Sequence, residues 1–236
     1  DSLRQPLSFD PGTRWEYGIG IDWAGQLLEA VSDVSLAQWM HTEIFDPLGM
    51  TNTAYGCRPD MQDRRAATHV LNEGTWKALV SSGKTRKTEF DSGGGGLFST
   101  VTDYAKFMQM LLRGGELAGQ RLLSPQTVSL MSSNSMGNLR VSPVVSQNQK
   151  VSADFEFMPG TPKSWGLTFQ INEDDVNGGR QAGSLSWAGL CNTHFWVDPN
   201  TGLGVLLMTQ TLPFMIPQVA DLLKQLERTI YETVTS

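Results

Sequence analysis

Thr193-His194-Phe195-Trp196-Val197-Asp198-Pro199-Asn200-Thr201-Gly202-Leu203-Gly204-Val205-Leu206-Leu207-Met208-Thr209 is the stretch that decides the fold. Thr193 to Val197 and Leu203 to Thr209 are rich in β-branched and aromatic residues, and Asp198-Pro199-Asn200-Thr201-Gly202 between them has the composition of a hairpin turn. Upstream, Trp165 to Ile171 predicts a further strand. Downstream, Pro217 opens a helix with Val219, Leu222, Leu223, Leu226 and Ile230 on one face. Strands followed by a covering helix imply an α/β chain of the α+β kind, an antiparallel β-sheet flanked by helices.

Working back toward the amino end, Ile21, Ala24, Leu27, Leu28 and Val31 have the spacing of one buried helix face, with Tyr17, Gly18 and Gly20 just ahead of it. Gly18 and Gly20 are expected to let the backbone approach a side chain or ligand closely. Ser35 with Gln38 forms a capping-box pattern that starts a second helix through Trp39, Met40 and Ile44, stopped by Pro47-Leu48-Gly49-Met50. Tyr104, Phe107, Met108, Leu111 and Leu112 share a stripe on a third helix that Gly114-Gly115 ends, and Ser124-Pro125 caps a short fourth. Residues 51–90 and 132–163 are polar and aperiodic, and are expected to be loop or lid excursions from a single domain spanning 1–236.

Composition closes several routes. With 18 Lys and Arg against 24 Asp and Glu, the net charge of −6 offers no footprint for a phosphate backbone, so nucleic acid is not expected as a partner. No apolar run approaches the ~20 residues that span a bilayer, which argues against a membrane and leans toward the cytoplasm. Asp1 carries neither a methionine nor a signal-like run, so the start is expected to be a processed or cut end. Cys57 and Cys191 are far apart and form neither a disulfide framework nor a metal-ligand spacing; no metal and no cofactor are expected.

Familiar motifs fail on their spacing. Gly83-Lys84-Thr85 ends like a phosphate-binding loop, but the required upstream glycine is Ala78. No serine is framed as Gly-x-Ser-x-Gly, and Gly18-x-Gly20 continues to Trp23 rather than to a third glycine. His41 is expected on a helix surface and His69 in a loop, while His194 reads as a half-buried imidazole hydrogen-bonded to backbone.

Three stretches go beyond a generic domain: Pro11-Gly12-Thr13-Arg14-Trp15-Glu16-Tyr17-Gly18, Phe45-Asp46-Pro47-Leu48-Gly49-Met50, and Gly93-Gly94-Gly95-Gly96-Leu97-Phe98-Ser99-Thr100 with Asp103-Tyr104. With Gly183-Ser184-Leu185-Ser186-Trp187-Ala188-Gly189-Leu190 and Phe195-Trp196-Val197-Asp198-Pro199 they cover nearly the whole chain in order. The chain resembles the serine β-lactamase-like family, which includes class C β-lactamases, D-alanyl-D-alanine carboxypeptidases and related esterases and transesterases. The resemblance implies a β-lactamase/transpeptidase-like fold with a helical subdomain, incomplete at its amino end.

What the resemblance implies for chemistry is acyl transfer through a seryl ester, with the nucleophile in a Ser-x-x-Lys helix turn, a tyrosine as base partner and a third motif on a strand. Ser and Lys three apart share one side of a helix, so an ammonium can assist the hydroxyl. A free tyrosine has a pKa of ~10, leaving a gap of ~4 kcal/mol from pH 7 that a neighbouring cation must help close. The tyrosine maps onto Tyr17, with Gly18 where many relatives have serine and Ile19 where the family's Tyr-x-Asn pattern has asparagine. The third motif, often Lys-Thr-Gly, maps onto Trp187-Ala188-Gly189, expected on an edge strand, with the Leu190 N–H as one oxyanion donor. Replacing the motif's lysine by Trp187 removes a cation that would pair with a substrate carboxylate, which favours neutral, bulky acyl esters.

In the family the Ser-x-x-Lys precedes the tyrosine, yet none lies ahead of Tyr17. The nucleophile is therefore expected upstream of Asp1, on an amino-terminal segment or a second polypeptide, whose absence would leave an apolar face of the sheet bare. Ser81-Ser82-Gly83-Lys84 is the one match, but it follows the tyrosine in a polar loop. The expectation is part of a serine esterase or acyltransferase acting on a small-molecule ester. The alternatives are a catalytically inactive binding protein on the same scaffold and a β-lactamase or D-aminopeptidase-type hydrolase.

Overall fold

The computed structural model of the chain describes residues 6–79 and 90–234. Ser81-Ser82-Gly83-Lys84 and the Gly83-Lys84-Thr85 triplet lie outside the described residues. Five strands, β1 (Lys163–Trp165), β2 (Gln170–Asn172), β3 (Leu185–Gly189), β4 (Thr193–Asp198) and β5 (Leu203–Leu207), form one sheet in the order β5-β4-β3-β2-β1. Every neighbouring pair is antiparallel, with Asp198 opposite Leu203, Phe195 opposite Trp187 and Ser164 opposite Ile171. The strand bearing Trp187 is thus the middle of five, not an edge. The stretch 165–171 is broken where Gly166 N–H bonds the Phe169 carbonyl and a Cβ at Gly166 would stand 2.1 Å from the Met131 carbonyl oxygen.

The turn of the β4–β5 hairpin is organised by one carboxylate. Asp198 is fully buried and accepts hydrogen bonds from the backbone N–H groups of Gln181, Asn200 and Thr201 and from the Tyr231 hydroxyl. Burial alone would raise its pKa, but these donors outweigh burial and hold the carboxyl below its ordinary value.

Alternation along β4 sends side chains to two layers. Val197 and Phe195 join Ile171 and Leu185 against Met108 and Leu111 of α3 (Val101–Leu112). On the other face Trp196 packs with Val205 and Tyr231 of α5 (Pro217–Val234). Helices of this chain thus pack on both faces of the sheet, α3 on one and α5 on the other. The buried line of α5 runs through Val219, Glu227 and Tyr231, while Leu222 is exposed. Glu227 turns inward because it meets the Arg180 guanidinium in a bidentate pair at 2.7 and 2.9 Å, itself 4.1 Å over the Trp196 ring.

The helices ahead of the sheet follow their sequence signals in position more than in burial. Thr100 caps α3 through the Asp103 N–H, Ser35 caps α2 (Leu36–Met40) through the Gln38 N–H, and α2 continues as a π-helical turn, His41–Phe45. Ser124 caps α4 (Pro125–Met131). Phe45, Leu48 and Met50 enter the core with Met108, and buried Asp103 accepts hydrogen bonds from the Asn52 N–H and the Thr53 hydroxyl. The stretch Phe45–Met50 is thus a packing element. His41 is exposed as expected, whereas His69 belongs to a strand, His69–Asn72, that pairs with Thr75–Ala78.

The apolar face of α1 (Gly20–Ser32) is not buried. Ile21, Leu27 and Val31 are 50%, 65% and 74% exposed, and Trp23 is 54% exposed. The helix is anchored by its other side: Asp22 accepts hydrogen bonds from the Ser92 hydroxyl and the Gly94 N–H, and Gly25 sits against Leu36. A Cβ at Gly93 would lie 2.2 Å from the Ile21 carbonyl oxygen, so the glycine run 93–96 is needed where the loop crosses this helix. By contrast, nothing lies within 4 Å of a Cβ added at Gly18 or Gly20, so the close approach expected there is absent among the described residues.

Candidate active site

Tyr17 is in the irregular segment before α1 and is 55% exposed. Its ring centroid lies 5.2 Å from that of Trp187 at an interplanar angle of 41°, so two residues 170 positions apart in sequence share one surface. Trp187 is held on its other sides by Trp165, edge-on at 4.6 Å, and by Phe157, edge-on at 5.6 Å. Trp15 extends the row, 5.7 Å from Trp165. The result is a wall of aromatic faces and edges with one partly exposed phenol at its rim.

The backbone beyond Trp187 completes the arrangement. Gly189 ends β3, and Leu190 starts the turn into β4, which the Asn192 N–H closes onto the Gly189 carbonyl. Leu190 is 53% exposed, and its N–H has no acceptor among the described residues. The Asn192 side chain, fully buried, fixes this turn from below: it donates to the Thr211 and Pro213 carbonyls and accepts from the Met215 N–H. An N–H without a partner among the described residues, on a braced turn at the end of the strand that carries Trp187, can donate to an arriving oxygen.

A cavity of about 1000 Å³ opens between the loop Glu156–Thr161, residues 175–180 and α5, with Trp187 on its wall. Phe157, Trp187, His194 and Met215 are on its wall; Tyr17 is not. His194 differs from its expected state. It is 4% exposed and stacked on Phe214 at 5.5 Å, and its Nε2 has no hydrogen-bond partner among the described residues. Burial, with a contribution from the Arg180 charge, pulls its pKa down to about 4, so it is a neutral ring at physiological pH.

The four residues named from sequence, Tyr17, Trp187, Gly189 and Leu190, thus lie around one end of the central strand. Sequence reasoning missed Trp15, Trp165 and Phe157, which complete the wall. Trp165 was legible only as a strand residue, and Phe157 falls in a segment without periodicity. No group of His, Cys, Asp and Glu among the described residues could hold a metal ion, and no helix among them is long and apolar enough to cross a membrane.

The family model described as beta-lactamase matches residues 2–227. Among curated proteins the chain is 32% identical to a monacolin J acid methylbutanoyltransferase of Aspergillus terreus, over 97% of this chain and 57% of that protein. It is 30% identical to a lovastatin esterase of Penicillium rubens, over 96% of this chain and 58% of that protein. Among solved structures, the LovD6 mutant of simvastatin synthase from Aspergillus terreus superposes with a TM-score of 0.83 at 31% identity, covering 100% of this chain and 60% of that one. The chain therefore spans less than two thirds of the length of these relatives. Matched along nearly all of its own length by the family model and by the fold, the chain belongs to the beta-lactamase family.

Proposed function

We propose that this chain supplies the tyrosine and the strand motif of a serine acyltransferase or esterase that acts on neutral esters. The observation that carries the reading is the Tyr17 ring standing 5.2 Å from Trp187, on the strand that runs into the Leu190 turn. The names of the relatives, a methylbutanoyltransferase and a lovastatin esterase, support acyl transfer between ester oxygens.

In the first step the seryl Oγ attacks the ester carbonyl while its proton passes to the Tyr17–lysine pair. The carbonyl π electrons move onto oxygen, where the Leu190 N–H donates to the oxyanion. Collapse expels the alcohol, which takes the proton, and leaves the acyl-serine. An incoming alcohol or water then repeats the steps in reverse, and the choice between them sets transfer or hydrolysis. Gly189 leaves room for the carbonyl to reach the N–H. Trp187 presents a neutral face where other members carry a lysine, so a free carboxylate on the substrate finds no cation in this motif.

The serine and lysine come, in this proposal, from an amino-terminal segment or a second polypeptide carrying Ser-x-x-Lys, in keeping with relatives that extend well beyond the matched length. The segment 132–163 contributes a wall of the site, an assignment supported by Phe157 lying against Trp187. To test the reading, the full-length protein is incubated with p-nitrophenyl butyrate, and its intact mass is followed at short times. A butyryl increment mapping to the serine of Ser-x-x-Lys is expected; ligand binding without any covalent increment would favour an inactive binding protein.

A further inference from the structure

Lys163 opens β1 with its side chain 3% exposed, a placement that is costly for an ammonium unless all three donors are used. They are: Nζ donates to Glu156 Oε1 at 2.9 Å, to the Met158 carbonyl at 3.3 Å and to the Thr161 carbonyl at 2.7 Å. All three acceptors belong to one short segment, so the ammonium closes Glu156–Thr161 into a ring around itself. Within that ring Met158 has a φ of +47°, a left-handed conformation that a methionine adopts only when its surroundings impose it. The residue the ring presents is Phe157, edge-on to Trp187 at 5.6 Å and to His194 at 6.1 Å.

We propose that Lys163 is a positioning residue that sets substrate size: by clasping the loop it fixes Phe157 as the wall limiting the acyl group beside Trp187. This rests on the acyl-transfer reading above. Lys163 touches no reacting atom and acts only through Phe157. With the clasp opened, the backbone no longer fixes Phe157, whose ring then keeps its side contacts with Phe155 at 5.2 Å and Phe214 at 6.2 Å; it can shift from Trp187, and longer acyl chains gain space.

The test is a selectivity cycle in the full-length protein, with p-nitrophenyl acetate and p-nitrophenyl octanoate as substrates. Lys163→Met is expected to raise the octanoate-to-acetate ratio of kcat/KM about tenfold, through KM for octanoate and with kcat for acetate unchanged. Phe157→Ala is expected to give the same shift, and adding Lys163→Met to it no further one. Should Lys163→Met fail to fold, Glu156→Gln, which leaves the two carbonyl bonds in place, is expected to shift the ratio less and in the same direction. An unchanged ratio in the folded clasp variants would overturn the inference, as would an equal shift in the Phe157→Ala background. A wild-type enzyme that turns over neither ester would instead overturn the acyl-transfer reading itself, and this inference with it.

Discussion

Gly189 shows what one residue can test. A Cβ added there would meet the Thr193 Cβ at 3.6 Å, which is ordinary contact, so packing within the chain does not demand glycine at the end of β3. The demand proposed here comes from the substrate carbonyl approaching the Leu190 N–H. Gly189→Ala is therefore expected to leave thermal stability within about 0.5 kcal/mol of wild type, yet to lower kcat/KM for esters about 100-fold by displacing the reacting carbonyl. Retained turnover in a stable variant would remove Gly189 from the site. At this scale the sequence was informative where a residue type is unusual for its place. Tyr17 and Trp187 stood out against a known pattern, whereas Lys163 could not be read as buried, because the carbonyls that satisfy it converge only after the loop has closed.

The hairpin was readable as an element because its turn residues and its β-branched flanks say the same thing. The first helix was readable in position but not in burial: the 3.6-residue period identifies an apolar face, not what lies against it, and here Ile21, Leu27 and Val31 face solvent while Asp22 and Gly25 make the contacts. The central strand, β3, with serine, alanine and glycine among its five residues, carries too little β propensity to announce itself. Strand β4 supplies a pH test. The unfolded chain takes up a proton on His194 near its ordinary value of 6.5, while the folded state refuses it until about 4, so stability falls as pH drops through that window. Asp198, whose carboxyl is held below its ordinary value, keeps its contribution until more acid conditions. Melting temperatures between pH 7 and pH 5 are expected to decline less in His194→Phe than in wild type. Parallel declines would mean that His194 titrates freely in the folded protein.

Across the whole molecule, the sheet does more than hold a core. Sandwiched between α3 and α5, its middle strand carries Trp187 outward to meet a tyrosine from the opposite end of the chain. That meeting was legible only as an order of motifs in sequence; the distance between them depends on the fold of everything in between. The chain covers 57% of the Aspergillus transferase it matches, so the proposed chemistry belongs to the longer protein, in which the proposal gives this chain's Tyr17 the proton transfer. The most direct test is the turnover number of Tyr17→Phe in the full-length protein with a chromogenic short ester. The account predicts a loss of roughly 10² to 10⁴ in kcat with the fold intact, the range for a lost general base. Unchanged kcat would contradict it and take Tyr17 out of the mechanism.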